Sequence, residues 1–352
     1  MNESKIDSRN VINGRINYID TAKAIGICLV ILGHAAIPIE LETFICSFHM
    51  PLFFLLTGLT FKPCEAKLFF KKRVVSLIIP YVFFSILFVI KDLILYCVLQ
   101  DKTPESIIKE CFGVFCAMSR QSDYSIKPLW FLPCIFVCEA LLFASIKLLK
   151  NNKPLILLTS VLLCFLSFFI TEKFYLHFPW YIDVAAVSII FMAVGYVFKD
   201  KINAVITNLN VVKTLILGVI ALLACALVSH YNYVLTNKVV KFAYSEFANL
   251  FLTIAAAFLG ITAVLAFASK CNSKISLYVG KNSLFIYGIH FFLYIYRICM
   301  KVYDIISLDI QENSALCILT AVILSMAVLS VCCVLAIPYN AVMNKVKEKL
   351  LS

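Results

Sequence analysis

Lys23, His34, His49, Glu139 and His290 are ionisable side chains that stand in, or at the edge of, mainly apolar segments. A group of this kind at membrane depth faces a cavity, a partner or a substrate, because hydrocarbon cannot solvate it. Lys23 and His34 are eleven residues apart, which on a helix leaves them about 20° apart around the axis and about 16 Å apart along it. One face of that helix is therefore polar at both ends, and His49 follows across a short turn. Further on, Ser283, Tyr287, His290 and Tyr294 keep the spacing i, i+4, i+7, i+11 and share one helical stripe. Trp130 stands at the outer end of the segment that carries Glu139.

A neutral imidazole can take a proton from a hydroxyl in step with acyl transfer, and Lys or Arg groups can hold the phosphates of a carrier. The run KLFFKKR, with Lys67, Lys71, Lys72 and Arg73, supplies such cations. Each group also has a plainer role. An embedded histidine can simply hydrogen-bond a neighbouring helix, Lys23 can snorkel to headgroups, and Glu139 can serve only as a partner for a histidine or Arg73. The lysine run can be ordinary charge on the inner side of a membrane.

The elements that must position these groups are membrane helices. The chain has 352 residues, 62% of them hydrophobic and 14% charged, with a mean hydropathy of +0.95. A water-soluble domain must cover itself with more polar surface than that. Ten apolar segments are expected, at about 18–38, 41–60, 75–98, 129–148, 154–171, 181–198, 212–229, 248–268, 278–298 and 314–338, each near the length that crosses hydrocarbon. With the N-terminus inside, 21 of the 31 Lys and Arg fall on inner connections, which favours an even span count and both termini in the cytoplasm. Residues 1–17 are polar and mixed in charge, with no cleavage signature after the apolar run, so the first segment is expected to remain as an anchor.

The net charge of +11 is then mostly topology and not a sign of nucleic-acid binding. Most of the fifteen cysteines lie inside the spans, where they act as small packing residues. Neither a metal-ligand spacing nor a glycine-rich phosphate loop is present. In the longest connection, 99–129, Ile107, Ile108, Cys111, Phe112 and Phe115 form one stripe, which suits an interfacial helix. Pro80 and Pro133 are expected to bend their spans. These features define a membrane-embedded cavity with a basic inner mouth and a histidine-lined centre. An enzyme would use it, and so would a secondary transporter or flippase for a polar or glycan substrate.

Five stretches carry a resemblance, in order: YIDTAKAIGICLVILGH (18–34), FHMPLFFLLTG (48–58), KKRVVSLIIPY (71–81), LWFLPCIFVCE (129–139) and VGKNSLFIYGIH (279–290). They resemble the acyltransferase 3 family of integral-membrane acyltransferases, and within it the branch related to fucose O-acetylases and other bacterial surface-sugar O-acetyltransferases. The resemblance implies an all-α fold of ten core membrane helices with cytoplasmic ends, in the bacterial cytoplasmic membrane. It divides the chain into a short cytoplasmic segment (1–17), a transmembrane acyltransferase domain (18–340) and a basic cytoplasmic tail (341–352). The implied reaction moves an acyl group, usually acetyl, from acetyl-CoA to a sugar hydroxyl of a cell-surface glycan or its lipid-linked precursor. Acetyl-CoA enters as a co-substrate; no permanently bound cofactor is expected, and the other partners are membrane lipids.

Carried over residue by residue, His34 matches the histidine that ends the family's first-helix motif and becomes the expected general base. Lys23 stands where that motif usually has Arg, which keeps the charge and loses the bidentate fork. Two arginines three apart precede the family's third helix; here Arg73 keeps the first place and Ser76 takes the second. Donor phosphates are thus expected at Arg73, with Lys71, Lys72 and Lys23 in support. Glu139, or a water, is the expected partner of His34, and Tyr287 or His290 the donor to a developing oxyanion. His49, Trp130, Asn282 and Ser283 are assigned to the acceptor.

Overall fold

In the computed structural model, which describes residues 11–12, 15–99, 103–117, 127–271, 273–310 and 314–351, helices account for nearly the whole chain. The named strands among the described residues are Val11–Ile12 and Arg15–Ile16, paired antiparallel ahead of the first helix. The rest of the expected N-terminal segment, except Asn17, lies outside the described residues. In chain order the helices begin with α1 (Asn17–Gly33), α2 (Ile39–Thr60), α3 (Ala66–Arg73), α4 (Ile79–Leu99) and α5 (Pro104–Cys116). Next come α6 (Phe131–Leu148), α7 (Lys153–Phe174), α8 (Ile182–Val197), α9 (Lys199–Asn208) and α10 (Val211–Thr236). The last five are α11 (Leu250–Lys270), α12 (Lys274–Lys281), α13 (Ser283–Ile289), α14 (Ile295–Ile305) and α15 (Ser314–Leu351).

Among the described residues, eight stretches are long and apolar enough to cross a membrane, and a bent pair, Ser283–Leu293 with Ile295–Ile305, makes a ninth if it counts as one span. The protein is a multi-pass membrane protein. The sequence suggests ten spans, and the difference lies mainly in α1. It stops at Gly33, not near residue 38, and its 17 residues cover about 26 Å at 1.5 Å each, somewhat short of ~30 Å of hydrocarbon.

The chain divides into two compact units. One takes in Thr60–Val197, Phe242–Ser245 and Asn340–Ser352, and so holds α3 to α8. Here α3 runs into α4 through a five-residue π-turn, Val74–Ile78. Pro80 explains the wide turn: it has no N–H for the Ser76 carbonyl, and its ring would crowd that carbonyl in a regular helix. Pro133 falls in the first turn of α6, where a proline is tolerated. Helix α5 is held by Tyr81, whose hydroxyl donates to the Val114 carbonyl at 2.8 Å. Ile108, Phe112 and Phe115 on α5 are exposed, which fits a helix lying on the acyl-chain boundary. Asn152 caps α7 by accepting from the Leu155 N–H at 3.2 Å, and buried Asp183 on α8 accepts from the Ser245 hydroxyl at 2.6 Å.

The other unit takes in the described parts of Met1–Leu59, Phe198–Lys241 and Glu246–Tyr339. Its centre is α1, packed against α11 and α12. The approach to α12 is so close that a Cβ on Gly280 would lie 1.8 Å from the Asp20 carbonyl oxygen. On α11, a Cβ on Gly260 would meet the Phe48 ring of α2 at 2.2 Å. Small residues let membrane helices approach in this way. Asn232 ties α10 to α11: its Nδ2 donates to Thr253 Oγ1 at 3.0 Å and its oxygen accepts the Asn249 N–H at 3.0 Å. The outer face of α10 leaves Val212, Ile216, Ile220, Leu223 and Leu227 exposed, as a lipid-facing helix does.

The expected single span at 278–298 is broken. Helix α13 gives way to a 3-10 turn, His290–Leu293, and Tyr294 then takes a left-handed conformation at φ 48° before α14 begins. Ser283, Tyr287 and His290 keep their stripe up to the break. Tyr294 does not continue it, because the stripe requires an uninterrupted helix.

Candidate functional site

His34 follows the last residue of α1. Its backbone N–H still reaches the carbonyls of Val30 and Ile31, at 3.2 and 3.1 Å, while its side chain is exposed. The turn after it is pinned from α14: the Tyr303 hydroxyl, almost fully buried, lies 2.7 Å from the Ala36 carbonyl and 2.8 Å from that of Cys317. His290 stacks on His34 with ring centroids 5.4 Å apart and planes 28° apart, and Phe291 meets His34 edge-on at 5.3 Å. His290 itself is wholly buried.

The hydrogen bonds of His290 settle its tautomer. Nδ1 lies 2.8 Å from the Tyr287 carbonyl and 3.1 Å from that of Ile286. Carbonyls only accept, so Nδ1 carries the proton and Nε2 holds a lone pair. That Nε2 has no hydrogen-bond partner. Tyr287, the other expected donor, is buried with its ring centroid 6.1 Å from that of His290. His49 is arranged similarly, with Nδ1 2.8 Å from the Ile45 carbonyl, and lies within electrostatic range of His34.

In front of His34 is a cavity of about 440 Å³. Gly33, His34 and Ala35 line it from the end of α1, Glu42 from α2, and Phe291, Tyr294, Ile295, Tyr296 and Arg297 from the break and the start of α14. Phe291, Tyr294 and Tyr296 are exposed and Arg297 lies over the Tyr294 ring at 5.3 Å. Glu42 is 3.5 Å from Lys241. Of the cavity residues beyond His34, sequence reasoning singled out only Tyr294, and on a stripe it does not occupy. The only helix-weakening residue beside the break is Gly288, two residues before the 3-10 turn, and neither Gly nor Pro occupies the left-handed position itself.

The remaining expected residues gather elsewhere. Lys23 is half-buried and 3.6 Å from Asp20. Asn282 is buried, its Nδ2 donating to the Tyr278 carbonyl at 2.8 Å, and Ser283 begins α13 beside it. Both are close in sequence to Gly280, which packs on Asp20. That end of α1 is roughly 20 Å along the helix from His34, so Asn282 and Ser283 are not part of the cavity lining.

In the unit that holds α3 to α8, Arg73 Nε lies 2.8 Å from Glu139 Oε2. The N–H is not aligned as a hydrogen bond, so the contact is mainly ionic. The guanidinium also sits 5.8 Å from the Phe61 ring and 5.6 Å from the Phe69 ring, a cation–π setting that sequence alone did not indicate. The Glu139 side chain is nearly inaccessible, while that of Arg73 keeps 27% exposure, so one side of the guanidinium remains open. Lys71 and Lys72 are exposed in the last turn of α3, and the π-turn starts directly after Arg73. Trp130, half-buried at the entry to α6, packs against Phe131 and Tyr181 with centroids 5.8 Å away in each case.

A family model described as an acyltransferase domain matches residues 16–337. No curated protein and no solved structure matches the chain.

Proposed function

The chain belongs to the acyltransferase 3 family, and from that premise we propose that it is an O-acetyltransferase of the surface-polysaccharide branch. It moves acetyl from acetyl-CoA to a sugar hydroxyl of a cell-surface glycan or its lipid-linked precursor, in the bacterial cytoplasmic membrane with both termini inside. The observation that carries this reading is the exposure of His34, the first-helix motif histidine, on a cavity walled by Phe291, Tyr294 and Tyr296. A few polar groups among aromatic faces make a surface suited to a sugar ring.

In the proposed step the acceptor hydroxyl gives its proton to His34 as its oxygen attacks the thioester carbon. The carbon–sulfur bond breaks, the oxygen–carbon bond forms, and the proton passes from His34 to the leaving CoA thiolate. The ring stacking of His290 and Phe291 fixes the His34 plane, and Tyr287 is assigned to the developing oxyanion. His49 and Trp130 are assigned to the acceptor.

Donor phosphates are assigned to Arg73. With Nε held by Glu139, its terminal amino groups remain for bidentate contact, and Lys71 and Lys72 add charge. Glu139 thus orients Arg73. Lys23, at the far end of α1, is assigned to the donor, whereas Asn282 and Ser283, expected at the acceptor, lie apart from the residues that line the His34 cavity. The test is transfer of labelled acetyl from acetyl-CoA to envelope glycans by purified protein, with mass spectrometry of the product. Free CoA released in step with a 42 Da gain (the mass of an acetyl group less a proton, about three heavy atoms) on a sugar is the expected result. Glycan carried across vesicle membranes without acetylation would support a transporter instead.

A further inference from the structure

Arg297 carries a charge that its surroundings leave unbalanced. It lines the His34 cavity and stacks on Tyr294, yet no carboxylate among the described residues lies within ion-pair distance of its guanidinium. Glu42, the acid on the same cavity, is engaged by Lys241. The backbone adds to the positive sign. Tyr294 provides no side-chain cap for α14, whose first residues, Ile295, Tyr296 and Arg297, line the cavity and carry N–H groups that have no intrahelical acceptor.

A neutral sugar would leave this arginine without a counter-charge inside a partly enclosed cavity. A planar guanidinium held against an aromatic face is a good receptor for the oxygens of a carboxylate or phosphate, which it can grip with two parallel hydrogen bonds. We propose that the cavity is an anion-selective acceptor site: the sugar that receives the acyl group bears a carboxylate or phosphate, bound by Arg297 while the reacting hydroxyl meets His34. This rests on the acyltransferase reading and adds to it the chemical class of the acceptor. The aromatic rings give the site its affinity for a sugar, and Arg297 selects among sugars by charge.

The test reads binding before any donor is added. The full chain in detergent is titrated with methyl glucoside, methyl glucuronide and glucose 1-phosphate, which differ in charge and in the kind of anion. At least one charged sugar is expected to bind ~10-fold more tightly than the neutral one, the scale of a charge-assisted hydrogen bond. Arg297→Gln is expected to remove that difference and Arg297→Lys to restore part of it. Arg297 is exposed, so neither variant should unfold the protein, and an unchanged size-exclusion profile checks this. The charged sugar that gains more identifies the native anion. Equal binding of all three by the unaltered chain overturns the proposal. So does a preference that survives Arg297→Gln, or a loss seen only in titrations with acetyl-CoA, which would assign Arg297 to the donor. A chain that prefers the charged sugar yet acetylates nothing keeps the anion site and removes the acyltransferase reading.

Discussion

At the scale of single residues, His34 and His290 have different surroundings and so different expected costs. His34 opens on the cavity, whereas His290 has no exposed surface and its Nδ1 is committed to backbone carbonyls. His34→Ala is expected to leave the protein in the membrane at near-normal level and to lower turnover at least ~100-fold, the scale of a lost general base. His290→Ala is expected to cost less in turnover, since it acts by holding the His34 ring. Equal turnover of His34→Ala and unaltered protein, with donor still bound, would remove the base assignment. Arg73 needs a more careful variant. Arg73→Ala alone strands a buried carboxylate, and breaking such a pair costs about 3–5 kcal/mol. In a Glu139→Gln background that penalty is relieved, and there Arg73→Ala is expected to raise the KM for acetyl-CoA more than Lys67→Ala does. Similar small changes for both would reduce the cluster to inner-side charge.

At the scale of elements, the site depends on two departures from regular helix. The π-turn after Arg73 answers to Pro80 and is legible from the sequence once the missing N–H is considered. The break at Tyr294 is not, because a bulky residue in the left-handed region is disfavoured by about 1–2 kcal/mol and only the surrounding packing can hold it there. The seating of α1 on α12 is a third local requirement. Gly280→Ala would force a methyl group onto the Asp20 carbonyl, a backbone atom that cannot swing aside. It is expected to destabilise the protein by about 1–3 kcal/mol, as overpacking does, and to lower its melting temperature in detergent. A melting temperature equal to that of the unaltered chain would mean that the α1–α12 contact is looser than described.

At the scale of the whole molecule, the charge pattern gives a topology that reporter fusions or cysteine labelling can check. Residues at Lys72, Lys150 and Lys349 are expected in the cytoplasm, and those at Lys109, Lys173 and Lys241 outside. Lys150 found outside while Lys72 is inside would break the assigned order of spans. The sequence by itself determined that the protein is an all-α membrane protein, since its apolar runs have no other way to satisfy their backbone groups in lipid. It also determined which buried ionisable residues needed an explanation, and the ordered motifs pointed to the family that the match over most of the chain supports. It overestimated α1, because hydropathy does not register the turn that ends it at Gly33. Only the tertiary structure decided the partners. Glu139 had both a histidine and Arg73 open to it from the sequence, and a 2.8 Å contact chose Arg73. The sequence left Tyr287 and His290 both open as donors to an oxyanion, and the fold places the Nδ1 of His290 against two carbonyls. The cavity drew Arg297 and Tyr296 to His34 across more than 250 residues of chain. Periodicity records which residues share a face of one helix, whereas these contacts depend on where a helix breaks and which neighbour it then meets.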